Sequence, residues 1–121
     1  MKSQTKAIRA FDDALAQFTA ARKILDLVAQ DEPKDGPNKD LIASYYEAVD
    51  KDIKETMIHK ASNYYSRGSL KNALNIVNEV LAKDTKYQPA LAMRARIESS
   101  MNDNDDFRRG RPSRGSARTN Q

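Results

Sequence analysis

Hydrophobic residues recur at steps of three and four along most of the first hundred residues, which is the period of an amphipathic α-helix. In the first stretch, residues 3–30, the positions predicted to face inward are Ile8, Phe11, Leu15, Phe18, Leu25 and Val28. The segment DEPKDGPN at 31–38 follows, and its two prolines and one glycine cannot continue a helix. The pattern therefore predicts one helix that ends near residue 30, followed by a loop.

The second predicted helix is long, because the apolar pattern does not break between Lys39 and about Arg67. Its length of about 28 residues corresponds to about 40 Å. The first helix is of similar length, so we expect the two to form a long antiparallel hairpin. The inward stripe of the second helix is predicted at Leu41, Tyr45, Val49, Ile53, Met57, Ala61 and Tyr64.

Two shorter helices complete an all-α fold of about four helices. Gly68 can take a positive φ and end the second helix, and the Ser69 side chain can cap the third. This third helix is predicted over Leu70–Lys83 with Ala73, Leu74, Val77, Val80 and Leu81 inward. The fourth is predicted from about Gln88 to Met101 with Ala90, Met93 and Ile97 inward. Unless the long first hairpin compensates, this last helix is expected to keep an open face for a partner or a second copy. A homodimer that is lost when Met93 or Ile97 is changed to a charged residue would favour an assembly role.

The C-terminal residues differ from the rest in composition. Residues 102–121 have almost no apolar side chain apart from Phe107 and are rich in Asn, Asp, Arg, Gly and Ser. Such a composition is typical of disorder. The predicted organisation is therefore a helical domain at 1–101 and a disordered basic tail at 102–121.

The second and third helices carry a family pattern of large, small, aromatic, glycine and alanine positions at Met57, Ala61, Tyr64, Gly68, Ala73 and Val77. This pattern resembles the tetratricopeptide repeat (TPR) family, whose unit is a helix–turn–helix of about 34 residues. The resemblance covers residues 54–101, about one and a half repeats, and departs from the family's usual residues at Lys60, Val77, Thr85 and Arg94. It implies a right-handed array of antiparallel hairpins. An ordinary antiparallel helical bundle is the alternative.

TPR proteins bind peptides or helices on the surface formed by the first helix of each unit. By resemblance, the residues on that surface here are Ile58, Ser62, Tyr65 and Arg96. Some members clamp a partner's C-terminal carboxylate, but the matching positions here are Ile58, Ser62 and Met93, none of which can do so. Tyr65, and Tyr46 from a second tyrosine pair, are candidate aromatic contacts for a bound peptide, with core packing as the alternative.

Positive charge is concentrated at the C-terminus of a chain whose net charge is +4. Residues 107–121 hold five arginines and no acid, and the rest of the chain holds 16 basic and 17 acidic residues. The sequence RGRP at 109–112 resembles the core of an AT-hook, which lies in the minor groove of DNA. The candidate nucleic-acid-binding residues are Arg108, Arg109, Arg111 and Arg114. Non-specific RNA or phosphate binding and a merely solubilising tail are alternatives.

Catalysis has little support in the composition. The chain has no cysteine, one histidine at His59 and four glycines that form no phosphate-binding loop. We therefore expect no enzyme activity, cofactor or metal. Because no secretory signal and no apolar run of about 18 residues is present, we expect a cytoplasmic protein without a membrane partner.

The sequence thus predicts a non-enzymatic protein–protein interaction module: an adaptor, an assembly factor or a complex subunit. Its expected partner is another protein or peptide, and a homo-oligomer is a further option. One alternative is a nucleic-acid-associated protein that uses the arginine-rich tail. Another is a structural subunit of a larger assembly, in which the tail threads into a neighbour.

Overall fold

The computed structural model describes the backbone of residues 2–108 and the side chains of residues 6–103, and this part of the chain is all-helical. Its helices are α1 (Lys2–Asp31), α2 (Lys39–Ser66), α3 (Leu70–Lys83) and α4 (Gln88–Arg108). The all-α class is confirmed for these residues. The chain divides into two compact units between Lys60 and Ala61. This division falls inside the single helical domain expected over 1–101.

Unit one, which ends at Lys60, is an antiparallel hairpin of α1 and the longer part of α2. Three polar pairs join the helices: Lys60 Nζ lies 2.6 Å from Asp12 Oδ1, Arg22 Nε lies 2.9 Å from Asp50 Oδ1, and the Tyr46 hydroxyl donates to Asp26. In each pair the two residue numbers have the same midpoint, Gly36, which lies in the loop. Residues equally far from this loop therefore face each other, which confirms the predicted hairpin and sets its register.

The inward face of α2 in unit one differs from the predicted stripe. Ile42 is buried, whereas Leu41 and Tyr45 are about half exposed, at 49% and 50%. The predicted stripe advanced mostly in steps of four, and each such step overshoots a full helical turn by about 40°. Over several steps the stripe leaves the face that contacts α1, so the prediction was wrong for Leu41 and Tyr45.

The end of α1 needs the same correction. Arg22 and Asp26 of α1 face α2, but Val28, two residues beyond Asp26, points to a different side and is 47% exposed. Among the described side chains of unit one, Ile42 alone is buried. The hairpin therefore keeps much of its apolar surface at least partly in contact with solvent.

Unit two, which begins at Ala61, contains a buried core where α3 packs against α4. Its buried residues are Ala61, Ala73, Ile76, Val77, Val80, Leu81, Ala90, Met93 and Ile97. The predicted core of α3 is confirmed except that Ile76 is buried and Leu74 only half-buried. Because Met93 and Ile97 are interior residues, a charged residue at either position would disturb the core, and self-association of the chain stays a prediction. The exposed residues of α4 include Ala92 and Ala95.

Helix α4 extends past its predicted end at Met101 to Arg108. The predicted end rested on a run of Asn and Asp, which are weak helix formers but do not break a helix as Pro and Gly do. Residues 102–108 contain neither proline nor glycine. Helix α4 therefore includes residues 102–108 of the predicted tail, and the remainder of that tail, residues 109–121, lies outside the described residues.

Candidate protein-binding surface

The end of α2 is fixed by a backbone motif that places Tyr64 and Tyr65 in its last turn. Gly68 has a φ of 83°, as its predicted role as a helix stop requires. The Gly68 N–H donates to the Tyr65 carbonyl at 3.0 Å, and the Ser69 N–H donates to the Tyr64 carbonyl at 2.9 Å. These two bonds are those of a Schellman motif, which satisfies carbonyls at a helix C-terminus.

Ser69 does not play the part that the sequence suggested. It occupies the position before α3, but its side chain makes no capping hydrogen bond. The Ala73 N–H donates to the Ser69 backbone carbonyl at 3.1 Å, which begins the hydrogen-bond ladder of α3. The predicted side-chain cap at Ser69 was therefore wrong, and Ser69 contributes through its backbone.

Tyr65 is the centre of a polar and aromatic cluster that joins the end of α2 to α4. The Tyr65 hydroxyl lies 3.2 Å from Ser100 Oγ, within hydrogen-bond distance. The guanidinium carbon of Arg96 lies 5.4 Å from the centroid of the Tyr65 ring, within the range of a cation–π contact. Arg96 and Ser100 stand one turn apart on α4, so both reach the same tyrosine. We call Tyr65, Arg96 and Ser100 the Tyr65 cluster.

Arg96 has no acidic partner in this cluster. The positions three and four residues away on α4, where an ion pair would form, are Ala92, Met93, Ser99 and Ser100. None is acidic, and Arg96 forms no salt bridge within the described part of the chain. Arg96 is exposed, whereas Tyr65 is half-buried. The cluster therefore holds a positive charge at the surface with N–H donors facing solvent.

A second arginine lies over the neighbouring tyrosine. The guanidinium carbon of Arg67 is 4.7 Å from the centroid of the Tyr64 ring. Arg67 Nε and Asn63 Oδ1 are both buried and without a hydrogen-bond partner. A donor and an acceptor in this condition are the kind of groups that a bound water or a ligand satisfies. The end of α2 thus carries two arginine–tyrosine stacks on adjacent tyrosines.

The predicted partner-binding residues fall into two groups. Tyr65 and Arg96 are brought together, and Ser62 is exposed one turn before Tyr65 on α2. Ile58 is half-buried and belongs to unit one, so it is not part of the surface described for unit two. Ser100 and Arg67 were not predicted from the sequence. The four-residue spacing between Arg96 and Ser100 was the available sign that both lie on one face of a helix.

Tyr46, the other candidate aromatic contact, is already engaged inside unit one. The guanidinium carbon of Arg22 lies 5.0 Å from its ring centroid, and its hydroxyl donates to Asp26. That hydrogen bond is the main reason why the pKa of Tyr46 is raised, with desolvation second. The hydrogen bond from Arg22 to Asp50 likewise raises the pKa of Arg22. Tyr46 therefore joins the two helices of the hairpin, and the arginine over its ring is already paired with two aspartates.

Unit one also exposes large apolar side chains on both sides of the loop at 32–38. On α1 these are Ile24, Leu27 and Val28, and on α2 they are Leu41 and Tyr45, with exposures from 47% to 63%. We call these five residues the apolar end of the hairpin. Exposed apolar groups concentrated in one region are characteristic of surfaces that contact other proteins.

The nucleic-acid-binding candidates are not described in atomic terms. Arg108 is the last residue of α4, but its side chain lies outside the description, and Arg109, Arg111 and Arg114 lie beyond it altogether. The AT-hook-like motif stays a prediction from sequence. Within the described part of the chain, His59 is exposed and no group of three or more acidic or histidine side chains is placed to hold a metal ion.

None of the four described helices combines the length and the apolar character needed to cross a bilayer. Comparison with known proteins adds no relative: no family model matches the chain, and no curated sequence and no solved structure is significantly similar to it.

Proposed function

We propose that this chain is a non-enzymatic protein-binding module that works as an adaptor, an assembly factor or a complex subunit. The observation that carries the proposal is the Tyr65 cluster: an exposed arginine over the ring of a half-buried tyrosine, with no acidic partner among the described side chains. Tyrosine and arginine are enriched among the residues that dominate protein interfaces. Exposed Ser62 lies next to the cluster and leaves room for a partner to approach.

We further propose that the segment from α2 to α4 is TPR-like. The small residues at the family's helix-contact positions, Ala61 and Ala73, are both fully buried, as close approach of two helices requires. Gly68 turns the chain between α2 and α3 in a positive-φ conformation. Ala95 on α4 has the same spacing from Leu91 as Ala61 has from Met57, but it is exposed. An array that ends at α4 is consistent with that exposure.

A protein is a better candidate partner than a small molecule. The apolar end of the hairpin offers side chains that protein interfaces commonly bury. The cavity beside it, lined by Ala29, Glu32, Pro33, Lys34, Lys39 and Ile42, is small and open to solvent. Small-molecule sites are usually concave and enclose most of their ligand.

Affinity capture from lysate of the source cell tests this function. Full-length protein and a chain ending at Asp106 would be used as bait, each with and without nuclease. The proposal predicts a protein that both baits retain in the presence of nuclease. It also predicts loss of that protein with Ser62→Trp, which blocks the surface, and retention with Asn75→Trp, which places the same bulk at an exposed site on α3. Retention by both tryptophan variants would overturn the proposed surface.

The charge asymmetry of the chain favours nucleic acid binding as the second candidate function. Residues 107–121 carry five arginines and no acid, which is the composition of a phosphate-binding tail. This function would give capture that nuclease abolishes and that the chain ending at Asp106 lacks. It would also give binding to double-stranded DNA that weakens steeply as salt concentration rises.

A further inference from the structure

Arg22 and Arg96 each lie over a tyrosine ring, and they differ in their acidic neighbours. In unit one, Arg22 over Tyr46 is bonded to Asp50 at 2.9 Å and lies 3.8 Å from Asp26. Arg96 over Tyr65 has no carboxylate partner among the described residues. The charge of Arg22 is thus neutralised by carboxylates of its own chain, whereas Arg96 has no carboxylate partner among the described residues.

We propose that the Tyr65 cluster binds a side-chain carboxylate from an acidic segment of a partner protein, with Arg96 as the residue that contacts it. The carboxylate takes the place that Asp50 occupies beside Arg22. This inference rests on the proposed protein-binding function and specifies the chemistry of the partner. It assigns Tyr65 and Ser100 the role of positioning Arg96.

The stack prepares Arg96 for this contact. A guanidinium group that lies over an aromatic ring uses its face for the ring and keeps its N–H donors at the edge. Those edge donors match the two oxygens of a carboxylate in a bidentate pair. Because the stack already restricts the side chain, less conformational entropy is lost when the carboxylate binds. The Tyr65 ring is itself held by the contact between its hydroxyl and Ser100.

The number of cations favours a carboxylate over a phosphate group. Recognition of a phosphorylated residue generally uses a cluster of arginines around one anion. The Tyr65 cluster offers Arg96 alone, and Arg94 stands two residues away on a different side of α4. A singly charged planar carboxylate matches one planar guanidinium in both charge and shape.

Fluorescence anisotropy with a labelled glutamate-rich peptide tests the inference, with a glutamine-rich peptide of equal length as the control probe. Full-length protein is used, with the arginines beyond Arg108 changed to glutamine so that the tail cannot bind the acidic probe. We expect Arg96→Gln to weaken binding about tenfold or more, the usual effect of losing hydrogen bonds to a charged group. Arg94→Gln removes the same charge from the same helix and is expected to change the affinity less than twofold.

Two further variants separate charge from geometry. Arg96→Lys keeps the charge without the planar donor array and should bind more weakly than the unsubstituted protein but better than Arg96→Gln. Tyr65→Leu removes the ring below the guanidinium and should weaken binding while Arg96 is present, but have no further effect in Arg96→Gln. Such dependence is expected only if Tyr65 acts through Arg96.

Several results would overturn the inference: no preference for the acidic probe, equal losses in Arg96→Gln and Arg94→Gln, or tighter binding of a phosphoserine peptide. Its failure can be told apart from failure of the proposed function. If Ser62→Trp abolishes capture of the protein partner while Arg96→Gln leaves capture unchanged, the binding surface is correct and the carboxylate contact is wrong. If neither variant affects capture, the surface itself is wrong.

Discussion

The guanidinium carbon of Arg96 on α4 lies 5.4 Å from the centroid of the Tyr65 ring on α2. Thirty-one residues separate them in sequence, and the turn at Gly68 and the packing of α3 against α4 bring them together. The contact joins the end of one helix to the side of another and leaves the charged group exposed. A structural contact and a surface for a partner are thus made from the same two side chains.

Substitution of Arg96 should therefore affect binding more than folding. We expect Arg96→Gln to lower the free energy of unfolding by about 1 kcal/mol or less, since exposed cation–π contacts contribute about that much. Ile97→Ala, at the next position but fully buried, is expected to cost about 2–5 kcal/mol. Urea denaturation of both variants measures the difference. A loss for Arg96→Gln as large as that for Ile97→Ala would show that Arg96 is mainly structural.

Gly36 and Gly68, which are the glycines of the described part of the chain, should respond to alanine for different reasons. At Gly68 no atom lies within 4 Å of an added Cβ, but the φ of 83° strains any other residue. Gly68→Ala is expected to cost about 1 kcal/mol through the backbone alone. At Gly36 an added Cβ would clash with Glu32 Oε2, which accepts the Asn38 N–H at 3.0 Å. Gly36→Ala should cost about 0.5–1.5 kcal/mol by displacing that carboxylate.

A double-mutant comparison separates these two causes. In a Glu32→Ala background, Gly36→Ala should lose most of its effect on the free energy of unfolding, because the displaced carboxylate is already gone. Gly68→Ala should cost the same in both backgrounds. If Gly36→Ala retained its full cost without Glu32, the contact between them would not be the reason for it.

The proposed close approach of helices in unit two predicts a difference between two alanines of α3. Ala73 is fully buried, and Ala73→Leu should destabilise the protein by about 1–3 kcal/mol through overpacking. Ala82 is exposed on the same helix, and Ala82→Leu should change stability by about 0.5 kcal/mol or less. Thermal unfolding followed by circular dichroism measures both. Similar midpoints for the two variants would contradict the burial of Ala73.

The hydrogen bond from Tyr46 to Asp26 predicts an alkaline pH dependence. Because the pKa of Tyr46 is raised in the folded protein, its contribution to stability is fully present below the ordinary tyrosine pKa of about 10 and is lost as pH rises through the higher folded value. Absorbance of tyrosinate, compared with that of Tyr46→Phe, isolates this titration. Asp26→Asn should move the Tyr46 midpoint to lower pH, and an unchanged midpoint would show that Asp26 is not the cause.

The ends of the helices were predictable where the chain contains residues that stop a helix. The prolines and glycine at 31–38 end α1, and Gly68 ends α2 in the expected positive-φ conformation. The end of α4 was not predictable in this way, because Asn and Asp weaken a helix without stopping it. Composition alone therefore placed the boundary at Met101, and α4 continues to Arg108.

The faces of the helices were harder to predict than their ends. In α2 the apolar residues Leu41 and Tyr45 were expected inside, but the contact with α1 is made by Tyr46 and Asp50. Polar side chains that pair across a hairpin carry no hydrophobic signal in the sequence. The Tyr65 cluster was predictable in part, since the family resemblance named Tyr65 and Arg96. Ser100 was missed because a serine on a helix surface has no distinguishing pattern.

The most direct test of the Tyr65 cluster is an NMR titration with the glutamate-rich peptide, following backbone amides and the Arg96 side chain. It uses ¹⁵N-labelled full-length protein in which the arginines beyond Arg108 are changed to glutamine. The account predicts saturable shifts at Ser62, Tyr65, Arg96 and Ser100, with the largest change at the Arg96 Nε–H, and loss of these shifts in Arg96→Gln. Shifts confined to residues 109–121, or centred on the apolar end of the hairpin, would contradict it and would place the binding function elsewhere in the chain.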